Sequence, residues 1–424
     1  MQTIDRQPVR VLHPGFWNHE AGPDFRGAVI QIGQAEPRSG DVELDLTQRD
    51  WQAHQHDKNP NFANVILHVV WNDDAKPSLD IPTLALEPFL DAPLHELQGL
   101  LGGAGELPDM LRGACSAPLG QLTREQSEEL LRQAAIVRFQ RKGLELESRA
   151  RQSGWDQALW EGLLRGLGYK QNVWPMQQIA ELLPRLSDGA TSPQAWQARL
   201  LGVSGFLGAA HERGSQDEYL RSLWDHWWRE RERFQEHVMP RALWRLHGLR
   251  PANQPQRRLA LASHWLASGD FTARLEQWFT AGDTALLPET LTDCLQPARD
   301  EFWSHHWSFQ SPRLPKVQPL LGESRATDLA INVILPWFWT RARAGRNERL
   351  AKLAEDRYLA WPAAQDNSLL RLARQRLLGR QPSRGLKSAA SQQGLLQIVR
   401  DFCDHSNALC TDCAFPEMVR SLVR

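Results

Sequence analysis

The 424-residue chain carries 49 Lys and Arg against 50 Asp and Glu, a formal net charge of −1, with 42% hydrophobic and 23% charged residues. That balance excludes a globally basic protein that coats nucleic acid and a disordered polyelectrolyte, and the length allows two or three domains with cores of their own. The opening MQTIDRQPVRVLHPGF has no apolar leader core, no run approaches the roughly 18 apolar residues of a membrane span, and five cysteines make no disulfide framework, so a cytoplasmic protein away from membranes is expected.

Residues 1–95 read as β-rich. Positions 28–32 form a short apolar run, and 42–46 alternate Val, Glu, Leu, Asp, Leu with the period of a half-buried strand. Positions 65–71 (VILHVVW) are continuously apolar apart from one His, like a central strand, and 82–90 add an edge strand with Pro at its ends. Between the second and third strands, 50–56 suit one or two helical turns with Asp50 as N-cap. Residues 96–120, which include Cys115, read as a linker. From Thr123, whose spacing to Gln126 suits a capping box, the chain turns helical to about residue 400. Helices are expected near 123–152, 155–167, 176–184, 192–202, 217–237, 241–248, 256–279, 287–308, 326–344, 347–359, 366–378 and 389–403. Residues 401–424 form a Cys-rich C-terminal element. The fold class is α+β, a small mixed sheet followed by a large all-helical domain.

The chemistry concentrates between residues 18 and 71. Asp24, Glu43 and Asp45 stand at strand ends, with His54 and His56 close behind. A hard divalent cation such as Mg²⁺ or Mn²⁺ takes one or two such carboxylates and keeps several waters. Asp24 and Glu43 are the expected ligands, Glu20 and Asp45 support them, and His54 or His56 moves the proton. Two imidazoles at positions 54 and 56 share a face only in extended chain. Helical geometry would set them about 200° apart. His68, inside an apolar strand, reads as a hydrogen-bonded core residue. Acids that merely solvate turns are the plain alternative.

Pro23-Asp24, a strand, then Glu43-Leu44-Asp45 on the next strand, a helical turn and a buried strand resemble the PD-(D/E)xK nuclease superfamily. The resemblance implies a restriction-endonuclease-like N-terminal core that hydrolyses phosphodiesters with a metal ion. One position departs from it: Asp45 stands where that pattern has its water-orienting Lys. A fold that binds nucleic acid, or serves as a scaffold, without cleaving is the companion reading.

The second concentration is Cys403-x6-Cys410-x2-Cys413. CxxC spacing in a chain without a disulfide framework points to Zn²⁺ or an iron–sulfur cluster, with His405 or the distant Cys115 as fourth ligand. The spacing is similar to the cluster loop of the endonuclease III glycosylases, whose fourth Cys would fall at Val419. One distant Cys with a C-terminal group also resembles the iron–sulfur-linked helicase-nucleases. Reduced thiols packing a helix are the alternative, and Cys294 reads as buried.

Arg far outnumbers Lys, and 219–258 mix Arg with Trp. Through 219–237 the pattern is an amphipathic helix with Trp facing the core. Over 241–258 the basic, irregular sequence suits a DNA or RNA backbone, with Arg241, Arg245, Arg250, Arg257 and Arg258 as contacts.

Across the whole length the chain resembles a bacterial domain-of-unknown-function family, number 2851. The matching pieces are GPDF at 22–25, GDVEL at 40–44, DWQAHQHD at 50–57, VILHVV at 65–70, GYKQN at 168–172, GVSGFL at 202–207, LRPAN at 249–253, INVILP at 331–336 and the C-terminal cysteines. That resemblance implies one architecture from end to end and supplies no catalytic residue.

Overall fold

The computed structural model describes every residue except 19–21, 73–79, 91–112, 170, 212–216, 247–248, 282–286, 298, 367, 380–385, 404–409, 411–412 and 424. The chain is α+β and divides into two compact units, Met1–Pro108 and Asp109–Arg424.

The first unit is built on a mixed sheet of β1 (Val9–His13), β2 (Phe16–Trp17), β3 (Phe25–Ile32), β4 (Arg38–Asp45), β5 (Val65–Val70) and β6 (Thr83–Ala85). The order is β1-β3-β4-β5-β6, with β2 paired to β3 off that path. Pairings β1–β3 and β3–β4 are antiparallel, whereas β4–β5 and β5–β6 are parallel. A parallel pair needs a crossover connection. Here it carries the single helical turn α1 (Asp50–Ala53) and two 3₁₀ turns, His56–Lys58 and Pro60–Phe62.

Two local devices position β4. Its register against β3 slips between Phe25 and Ala28, where Gly27 has φ +66° and its amide donates to Asp41 Oδ1 at 3.1 Å. That is a bulge with glycine in the left-handed conformation. At Gly40 the parallel neighbour comes so close that a Cβ would stand 2.4 Å from the Ile66 side chain. Val9, Ala28, Ile30, Val42, Ile66, Leu67 and Leu84 make one apolar core, and Trp51, Phe62 and Val65 a second. Alternation along β4 then puts Asp41, Glu43 and Asp45 on a common face. Asp50 does not cap α1. Its Oδ2 accepts from the Thr47 amide at 2.8 Å and the Thr47 hydroxyl at 3.0 Å, and Arg49 is the N-cap.

In the second unit, α2 (Ser116–Gln121) occupies part of the expected linker, the remainder of which largely falls outside the described residues. Then comes α3 (Arg124–Ser153), whose Thr123–Gln126 capping box forms as its sequence promised. Three helices differ from expectation. The one drawn over 256–279 is two, Pro255–Ala267 and Phe271–Thr280, broken where Gly269 adopts φ +70°. The one drawn over 287–308 stops at Leu295, just ahead of Pro297, and farther on the Asp300 carboxylate turns the chain by accepting from the Phe302 and Trp303 amides. Among the described residues of 241–248 there is only the 3₁₀ turn Arg241–Leu243, and 247–248 lie outside them. Glu218–Phe234 is the amphipathic helix its pattern suggested, with Leu220, Leu223, Trp227 and Phe234 buried, but Trp228 is 50% exposed under the Arg231 guanidinium instead of facing the core. The C-terminal helix Phe415–Val423 packs Phe415 and Val419 against Leu131 of α3, Leu395 and Cys115, within the same unit.

Candidate metal centre

Asp45, the last residue of β4, gathers three imidazoles. His68 Nε2 lies 3.0 Å from Asp45 Oδ2, His54 Nδ1 3.3 Å from Oδ1 and His56 Nε2 3.9 Å from Oδ2. His56 Nε2 is also 3.3 Å from Glu43 Oε1. The parallel register sets His68 opposite Glu43, so β5 delivers its ring to the acidic face of β4. His68 is buried as a core residue and also grips an acid of the site, a role its apolar strand did not advertise.

Neither of the two backbone alternatives expected for positions 54–56 occurs. His54 ends the turn after α1, Gln55 adopts the left-handed conformation (φ 56°, ψ 36°), and His56 opens a 3₁₀ turn. The reversal brings the two imidazoles to 5.3 Å between ring centroids. A left-handed non-glycine residue costs about 1–3 kcal/mol and persists where surroundings enforce it. The enforcing surroundings are aromatic. Phe62 stacks on His56 at 3.9 Å, and Trp51 lies edge-on to His56 at 5.2 Å and tilted against His68 at 5.1 Å. Trp51 and Phe62 were missed as site residues. Their signal was two aromatics flanking the HQH triplet in a polar stretch.

The acids interlock. The Asp24 amide donates to Glu43 Oε2 at 3.1 Å, and Asp24 Oδ2 accepts from the Leu44 amide at 3.0 Å. Burial, then the Asp24 carboxylate, then Asp45 push the Glu43 carboxyl up to about 8, against the pull of the Asp24 amide. Burial likewise holds the His56 imidazole below its ordinary value, outweighing Asp45, which favours the neutral ring. Neutral imidazole is the form that ligates metals.

Donor atoms of Asp45, His54 and His56 all lie within 4.8 Å of one another. The His56 side chain is 10% exposed, and its two ring nitrogens have no directional hydrogen-bond partner. Glu43 sits at contact distance from Nε2 without meeting its lone pair. A neutral buried imidazole aimed at crowded carboxylates is what a divalent cation would satisfy, and imidazole with carboxylate suits Zn²⁺ or Mn²⁺ better than Mg²⁺. The tightest donor set is therefore Asp45, His54 and His56, with Glu43 and Asp24 behind it, rather than Asp24 with Glu43. Glu20 lies outside the described residues, as does His405.

The arginines expected to contact substrate divide. Arg245 and Arg250 are exposed and Arg241 is half-buried. Arg257 and Arg258 are corrected. They are 1% and 3% exposed, and their guanidinium groups donate to the carbonyls of Trp303, Gln318, Pro319 and Leu320 and to Asn253 Oδ1. These guanidinium groups order an irregular chain segment; they are not available to a phosphate.

A family model described as "Protein of unknown function (DUF2851)" matches residues 1–367, a stretch that takes in the whole histidine–carboxylate cluster and Cys115. Comparison with curated proteins and with solved structures finds no match.

Proposed function

We propose, for a chain that belongs to the DUF2851 family of proteins of unknown function, that the first unit is a metal-dependent phosphodiester hydrolase acting on nucleic acid. The observation that carries the reading is the convergence of Asp45, His54 and His56 beside the Glu43–Asp24 pair. Two antiparallel strand pairings, a crossover and a parallel strand, with acids on β4 and just ahead of β3, support the nuclease-like reading of the sequence.

A divalent cation supplies Lewis-acid chemistry, acidifying water and offsetting charge on a phosphoryl oxygen. Asp45, His54 and His56 would hold it. Glu43, against the His56 ring and interlocked with Asp24, is the carboxylate placed to take or give a proton beside the ion. His68 orients Asp45, and Trp51 with Phe62 keep water off the buried side.

The second reading, a fold that binds nucleic acid or acts as a scaffold without cleaving it, is favoured by one observation: position 45 carries Asp in place of the superfamily's Lys. One experiment separates the two. The purified chain is incubated with single- and double-stranded DNA and RNA in Mg²⁺, Mn²⁺ or Zn²⁺, beside Glu43→Ala and His56→Ala. Metal-dependent cleavage lost in both variants supports hydrolysis. A folded wild type that cleaves none of the substrates overturns it in favour of the second reading.

A further inference from the structure

The second unit brings four cysteines together from both ends of its sequence. Cys115 is the N-cap of α2 and is buried among Leu131, Leu395, Phe415 and Val419, with Cys413 packed against the same cluster. The Ala114 amide donates to Cys410 Sγ at 3.4 Å across 296 positions of sequence. Arg376 lies between them. Its Nη2 is 3.7 Å from Cys410 Sγ, its guanidinium also hydrogen-bonds the Cys403 side chain, and its carbonyl accepts from the Gly113 amide at 2.8 Å. Gly113 is closely packed here: a Cβ would stand 3.2 Å from Cys115 Sγ and 3.0 Å from that carbonyl. Cys410 holds φ +54°, a left-handed conformation that side chains other than glycine rarely adopt.

Neutral buried thiols need no such arrangement, because the S–H group accepts hydrogen bonds weakly. Main-chain and guanidinium N–H groups aimed at sulfur are the surroundings of metal-bound thiolates.

Hydrogen bonds to the sulfurs are how a protein tunes an iron–sulfur cluster, and zinc, which also takes four thiolates, is the outcome the metal assay separates.

We propose that Cys115, Cys403, Cys410 and Cys413 are the four ligands of one iron–sulfur cluster, with Arg376 and the Ala114 amide hydrogen-bonding its sulfur ligands. The site is independent of the histidine–carboxylate cluster and stands or falls without it. The test uses the full chain, purified without oxygen and reconstituted with iron and sulfide. Iron, acid-labile sulfide and zinc are assayed on the same sample, together with visible absorption and electron paramagnetic resonance after reduction. Bound iron and sulfide with a visible chromophore are expected, lost in Cys115→Ser and in Cys410→Ser and kept in Cys294→Ser. Where the two site variants fail to fold, the wild-type iron and sulfide content decides alone. Wild type that takes up no iron or sulfide, one equivalent of zinc that resists reconstitution, or a cluster retained in Cys115→Ser would each overturn the proposal.

Discussion

At the scale of single residues, the site depends on one dihedral angle. Gln55 turns the chain back on itself, so His54 and His56 reach the same carboxylate. Gly at this position removes the Cβ strain, whereas Val adds β-branched crowding. Gln55→Gly is expected to keep divalent-cation affinity, and Gln55→Val to lose about 1–2 kcal/mol of stability and at least tenfold in affinity. Titration calorimetry of both variants checks this. Glu43 gives a pH signature. Its carboxyl is raised from 4.5 to about 8, so between those values the unfolded chain releases a proton that the folded metal-free protein keeps. Stability therefore falls as pH rises through that window. Melting of chelator-treated wild type from about pH 5 to pH 8 should show a decline relative to Glu43→Gln. The acids were legible in the sequence because strand alternation alone puts Glu43 and Asp45 on one face. The pairing of His54 with His56 was not, because no local rule assigns a left-handed conformation to a glutamine.

At the scale of elements, legibility followed the range of the interaction. The Thr123–Gln126 box and the amphipathic Glu218–Phe234 helix needed only neighbours in sequence, whereas the order of the strands, with its parallel β4–β5 pair across a crossover, was not read from it. The burial of Arg257 was hidden because its carbonyl partners lie 46 to 63 positions away. Helix Ala389–Ile398 meets α3 in the same long-range way. A Cβ on Gly394 would stand 2.1 Å from the Leu131 carbonyl oxygen, so the two helices touch backbone to backbone. Alanine normally stabilises a helix by about 1 kcal/mol over glycine. Here steric overlap wins, and Gly394→Ala is expected to cost about 1–3 kcal/mol, seen as a melting point lower by several degrees. Gly208→Ala, with open space around the new Cβ, should be neutral or stabilising in the same measurement.

At the scale of the whole molecule, Met1–Pro108 and Asp109–Arg424 close apolar cores of their own. Calorimetry is expected to resolve two unfolding transitions. A divalent cation at one hundred times its dissociation constant should stabilise the first unit by about 2.7 kcal/mol and leave the other transition in place. Both transitions moving together would count against a cation site confined to the sheet. The long separations in the helical unit bear on how it is made. Arg138 of α3 bonds Gln393 across 255 positions, and the Ala135 carbonyl waits for Tyr358 across 223. At about 5–20 residues per second, a ribosome needs on the order of ten to fifty seconds to deliver the far partners. For that interval the half of α3 around Leu131 and Ala135 lacks its far partners, while the half around Leu146 already has the next helix, with Gly162, to pack against.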